Sequence, residues 1–200
     1  GVAIKSFPDL NISYYRKVVE LKPDYIFILD KPLVSKDFLE KAKQDNIPIV
    51  WIDHHMADNP CMETDASISL TSHPSLFYYY NSYYGDKNNE PVSYICYKVT
   101  NKKEDIWLAI IGCISDCYLP DFFEEFSEKY PELGKKNPRS AFDLLYSTEI
   151  GKIARVLDFS LKDTTTNVVN MLRFMIRVKG PLDILEENSK TKQILRRYDQ

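Results

Sequence analysis

Two short apolar runs decide the architecture: Tyr25-Ile-Phe-Ile-Leu-Asp30, and Ile47-Pro-Ile-Val-Trp-Ile-Asp53 with His54-His55 directly after it. Each has the length of a strand and is rich in β-branched and aromatic residues, and each is apolar without alternation, the pattern of a strand covered on both faces. Between them Ser35 stands as an N-cap before Phe38, Leu39 and Ala42, which share one helical face. Upstream, Val2–Phe7 reads as a strand. Residues 11–22 read as a helix carrying Ile12, Tyr15, Val18 and Val19, capped by Asn11 and stopped by Pro23. Strand, helix, strand, helix, strand in little more than 50 residues predicts an α/β fold: a parallel, Rossmann-like sheet with right-handed crossovers.

Beyond the second run the pattern changes. Met56 to Ser75 reads as a loop and Leu76–Tyr80 as a further strand, followed by helices over Pro91–Thr100, with Pro at the first helical position, and Glu104–Cys117. From Phe122 onward only helical patterns remain: Phe122–Tyr130, Ala141–Phe159, Asn167–Val178 and Leu182 to the end, the third with a core stripe of Val168, Met171, Leu172, Met175 and Ile176. A composition change between Pro120 and Asn137 divides the expectation into an α/β domain over 1–120 and a helical C-terminal extension over 121–200.

With 200 residues, 44% hydrophobic and 28% charged, and a mean hydropathy of -0.35, the chain has the composition of a globular protein, which excludes fibrous and disordered classes. No apolar stretch approaches the roughly 18–20 residues that cross a bilayer, so no membrane partner is expected. The four cysteines form no C-x-x-C pair and no signal peptide opens the chain, which predicts a reducing, cytoplasmic setting. Charge is uneven: residues 1–150 hold 16 basic and 23 acidic groups, residues 151–200 hold 10 and 6. An acidic front suits cations and a basic tail suits phosphates.

The chemistry gathers at the strand ends. Asp30 and Asp53 close the two apolar runs, so their carboxylates emerge at the same edge of a parallel sheet, the edge where such sheets bind ligands. A strand-ending Asp alone is commonly a helix N-cap; two adjacent histidines immediately after one make a metal site the better reading. Carboxylate and imidazole together suit a borderline divalent ion such as manganese. Asp116 interrupts an apolar segment and is a further carboxylate that needs a cation or donors. In Phe77-Tyr-Tyr-Tyr80 alternate members of the strand pack on two faces, with base stacking by this run together with Tyr83 and Tyr84 the competing use. His73 reads as a surface residue, and Cys113 and Cys117 as thiols rather than zinc ligands.

Asp53-His54-His55 after an apolar strand resembles the signature of the DHH phosphoesterases. Asp30 within Ile28-Leu-Asp-Lys-Pro32 matches that family's preceding strand-end aspartate. Ser115-Asp116-Cys117 matches its later Gly-x-x-Ser-Asp-Thr element, with Cys117 where Thr is usual. Through Pro91–Tyr97, Trp107–Asp116 and Ser147–Ser160 the chain is similar to archaeal RecJ-like nucleases.

The resemblance implies a metal-dependent phosphodiesterase, an exonuclease on single-stranded DNA or RNA in replication or repair, using two Mn2+ or Mg2+ ions. It further implies that Asp30 bridges the ions, that His54 and Asp116 complete one shell, that Asp53 orients or ligates, and that His55 contacts the phosphate as a catalytic residue. A non-catalytic replication scaffold bound to the GINS complex, and a phosphodiesterase of short oligonucleotides or cyclic dinucleotides, are the alternative functions. One departure stands out. The family's earlier D-x-D motif has no counterpart in residues 1–29, which hold only Asp9 and Asp24, so the chain is expected to be a fragment, a degenerate relative or one part of a split protein. Arg173 and Arg177, one helical turn apart and off the core stripe, are the candidates for phosphate contacts of a single strand.

Overall fold

Three parallel strands, β1 (Ile26–Leu29), β2 (Ile49–Asp53) and β3 (Phe77–Asn81), pair in the order β1-β2-β3 in the computed structural model, which describes residues 4–6, 9–56, 76–84, 88–186 and 191. The register sets Ile28 beside Trp51 and Trp51 beside Tyr79. Ile28, Ile49 and Trp51 are therefore on one face, buried against α1 (Tyr15–Leu21) and α2 (Lys36–Gln44) through Tyr15, Val18, Phe38, Leu39 and Ala42. The helix starts follow from local chemistry. The Ser35 hydroxyl accepts from the Phe38 N–H, and the Asn11 carboxamide accepts from the Ser13 N–H at the short 3-10 turn that leads into α1. α1 ends where Lys22 takes a left-handed conformation, just before Pro23.

The strand expected over Val2–Phe7 falls partly outside the described residues, and residues 4–6 are not in a strand. Among the described residues the run Tyr25–Asp30 lies at the edge of the sheet and is not covered on both faces: Phe27 and Leu29 are exposed, in the same rows as the exposed Tyr78 and Tyr80 of β3. A continuous apolar run tells strand from loop but does not tell the centre of a sheet from its edge. The aromatic run of β3 alternates as expected, with Phe77 and Tyr79 inward. The expected loop over 56–75 and His73 lie almost wholly outside the described residues.

Contacts divide the chain into a unit of Ser6–Val92 and a second of Ser93–Gln200 with Gly1–Lys5. The division falls at Val92, whereas the composition change pointed to 120, because the apolar helices after Pro91 share the core of the later ones. That helical unit contains α3 (Val92–Thr100), α4 (Ile106–Ser115), α5 (Phe123–Lys129), α6 (Ala141–Ser147), α7 (Glu149–Ser160), α8 (Thr165–Met175) and α9 (Leu182–Leu185). Its core is built on α4, apolar all round, with Ile106, Ile110, Ile114, Phe126, Leu144, Ile150 and Ile153 fully enclosed.

Two glycines allow this packing. A Cβ on Gly112 would lie 2.4 Å from Ser93 Cβ, and one on Gly151 would lie 2.2 Å from the Leu144 carbonyl oxygen. The single helix expected over Ala141–Phe159 is two. Thr148 is extended, with φ -131 and ψ 161, and its hydroxyl oxygen accepts from the Gly151 N–H, so it ends α6 and caps α7. The stripe on α8 holds through Val168 and Met171, but Ile176 closes the helix and is exposed. Of the last expected helix, only Leu182–Leu185 is seen among the described residues.

Candidate metal centre

The carboxyl end of β1 turns sharply. Asp30 has φ 56, a left-handed conformation that Asp tolerates, while its N–H still donates to the Ile52 carbonyl at 3.0 Å, so the carboxylate is delivered at the strand edge. The next residue is held as well: the Trp51 indole N–H donates to the Lys31 carbonyl at 2.9 Å. On the neighbouring strand, Asp53 ends β2 and the chain leaves it as His54-His55.

These three residues meet. His54 Nε2 lies 3.3 Å from Asp30 Oδ1 and His55 Nδ1 lies 3.8 Å from the same oxygen. One ligand atom from each of Asp30, His54 and His55 falls within 4.8 Å of the others, the one such group among the described residues. The two imidazoles stand edge to face with centroids 4.5 Å apart.

Asp53 does different work. Its side chain is 2% exposed, and its Oδ1 lies 2.9 Å from His55 Nδ1 while Oδ2 accepts from the His55 backbone N–H at 3.4 Å. A buried carboxylate tied to a ring nitrogen fixes ring orientation and tautomer, the arrangement that supports histidines at metal sites. Asn81, at the end of β3, donates through Nδ2 to the His55 carbonyl at 3.0 Å and accepts at Oδ1 from the Tyr83 N–H at 2.9 Å. Sequence reasoning missed Asn81. The signal was there: it is the polar residue in register with Asp53 at the same edge of the sheet.

The donor set fits a divalent ion. His54 Nδ1 is a buried atom with no hydrogen-bond partner, an arrangement costly for an imidazole without a ligand. Mixed nitrogen and oxygen donors suit manganese or zinc-like ions better than calcium. The site is also open on one side, since the Asp30 and His55 side chains are 54% and 44% exposed against 12% for His54. That openness leaves coordination positions for water or a substrate oxygen.

Asp116, the further expected ligand, belongs to the helical unit, where it closes α4 and its N–H donates to the Gly112 carbonyl at 3.2 Å. Arg173 stands in the last turn of α8 and Arg177 in the turn just after it, both exposed as expected. Cys113 is buried, with its thiol 3.9 Å from the Ser93 hydroxyl, and Cys117 is exposed.

The chain is mixed α/β with a small parallel sheet, and no helix among the described residues is long and apolar enough to cross a membrane. No protein-family model, curated protein or solved structure matches the chain.

Proposed function

We propose that the chain is the metal-binding part of a DHH-type phosphodiesterase acting on single-stranded nucleic acid, built on a Rossmann-like sheet and using Mn2+ or Mg2+. One observation carries the reading: Asp30, His54 and His55 bring a carboxylate and two imidazoles within 4.8 Å at the carboxyl end of two adjacent parallel strands. Such convergence offers a divalent cation mixed oxygen and nitrogen donors at one point, which a binding surface does not require. This weighs against a purely structural scaffold.

Asp30 and His54 would hold the ion, with Nε2 of His54, 3.3 Å from Asp30 Oδ1, as its ring donor. When bound, the ion supplies a water of lowered pKa and neutralises charge on the attacked phosphodiester. Asp53 keeps the His55 ring fixed by holding Nδ1, which leaves Nε2 of that ring for the ion or for a phosphate oxygen. Asn81 anchors the backbone of the same turn, so the two histidines are pre-set before a ligand arrives.

Manganese titration followed by electron paramagnetic resonance tests the site. We expect binding by the parent chain and a 10–100-fold loss of affinity in His54→Ala and Asp30→Asn at unchanged far-ultraviolet circular dichroism. Affinity unchanged in both variants overturns the metal centre. Hydrolysis of a labelled single strand, by the chain supplied with the D-x-D segment that the resemblance implies, tests the reaction. Hydrolysis that survives His54→Ala overturns the assignment of this centre to it.

A further inference from the structure

Helix α6 buries Ala141, Leu144 and Leu145 and turns two aromatic rings the other way. Phe142 and Tyr146, one helical turn apart, are 60% and 59% exposed, with ring centroids 4.6 Å apart and 46° between their planes. The pair is not left to swing freely. Arg155 of α7 donates to the Leu145 carbonyl and places its guanidinium carbon 5.4 Å from the centre of the Tyr146 ring. The close approach of α6 and α7 at Gly151 brings that arginine within reach.

The surroundings are basic. Residues 135–155 carry Lys135, Lys136, Arg139, Lys152 and Arg155 against Asp143 and Glu149. Asp143 is already neutralised by Lys135 at 3.0 Å. Lys136 and Arg139 are exposed and enter none of the ion pairs among the described residues. Residues 6–92, by contrast, hold 8 basic and 13 acidic groups. An apolar protein segment would gain from the two rings but not from the cations around them. A polyanion with flat π faces uses both, because bases stack on aromatic rings with little sequence preference while phosphates meet Arg and Lys.

We propose that the Phe142–Tyr146 face of α6 is a stacking platform for the bases of a single-stranded nucleic acid, whose phosphates are met by Arg139 and Lys136 at the start of the helix. The platform rests on the reading of the chain as a single-strand phosphodiesterase and adds the place where the strand is held. It is distinct in sequence from Arg173 in α8 and Arg177 just after that helix.

The experiment is fluorescence anisotropy of a fluorescein-labelled 15-nucleotide oligothymidylate with the whole chain at several potassium chloride concentrations. Phe142→Ala with Tyr146→Ala should weaken binding at least tenfold with the salt slope unchanged, since stacking releases no counterions. Tyr146→Phe should bind like the parent. Lys136→Gln with Arg139→Gln should lower the slope by about 1.4, about 0.7 for each phosphate contact. Circular dichroism of every variant shows that it is folded, and the exposed Lys136 and Arg139 pair keeps the question open to test even if the aromatic pair is needed for folding. Parent binding that neither double variant alters overturns the platform alone. Absence of any binding by the parent at low salt overturns the platform together with the single-strand reading, while manganese binding at Asp30 and His54 is measured independently.

Discussion

Burial gives the two cysteines beside Asp116 opposite behaviour. Burial pushes the Cys113 thiol up to about 12, with the Ser93 hydroxyl pulling weakly the other way, whereas Cys117 is exposed. Iodoacetamide at pH 8 should therefore label Cys117 in the native protein and Cys113 only after unfolding, as peptide mapping would show; rapid labelling of Cys113 would contradict its burial. The same shift makes a statement about stability. Since the folded-state pKa lies above the unfolded value near 9, the unfolded chain releases this proton first. Stability is whole below about pH 9 and falls as pH rises towards 12, by up to about 1.4 kcal/mol per pH unit. Urea melts of Cys113→Ser and parent between pH 8 and 10.5 should diverge accordingly. Glycines offer a second contrast. Gly151→Ala drives a methyl into the Leu144 and Leu145 carbonyls and should cost about 1–3 kcal/mol, while Gly180→Ala, with nothing within 4 Å of the new atom, should change stability by less than about 0.5 kcal/mol.

Among the elements, the junction of α6 and α7 shows what periodicity alone misses. Apolar spacing runs on through Ala141–Phe159 as if through one helix, because Leu144, Leu145, Ile150 and Ile153 all reach the same core. The break is written instead in Thr148 and Gly151, a cap residue three places before a residue without a side chain. Thr148→Ala should cost about 1 kcal/mol by removing that cap, measured as a shifted urea midpoint. Strand β1 gives the complementary lesson. Its existence, its closing Asp30 and its pairing with the strand that carries Asp53-His54-His55 were legible from composition and length, and so was the meeting of Asp30 with His54. Its place at the sheet edge was not, since edge and centre differ only in neighbours. Phe27→Thr should therefore change stability by no more than about 0.5 kcal/mol, whereas Ile28→Ala, on the buried face, should cost about 2–5 kcal/mol. Equal losses at the two positions would mean that the outward rows are covered.

At the scale of the whole chain, the two units differ in chemistry as they differ in packing: all three histidines and an excess of acidic over basic groups belong to the first unit, and a slight excess of basic groups belongs to the helical second. The boundary between them was the least legible feature, because α3 and α4 follow the sheet in sequence without any change in composition that marks which core they join. The register of the sheet has a consequence in time. β1 pairs with β2 across 23 residues, as Ile26 with Ile49, and β2 with β3 across 28, as Ile49 with Phe77, so each ladder waits on the closure of a long loop. α6 and α7, by contrast, meet across a single residue, Thr148. Local contacts form fast and distant parallel pairings slowly. In pulse-labelling hydrogen exchange the amides of α7 should gain protection before those of β2. The half of the chain that a ribosome makes first would then be the half that matures last, with its two histidines brought to Asp30 only at the end.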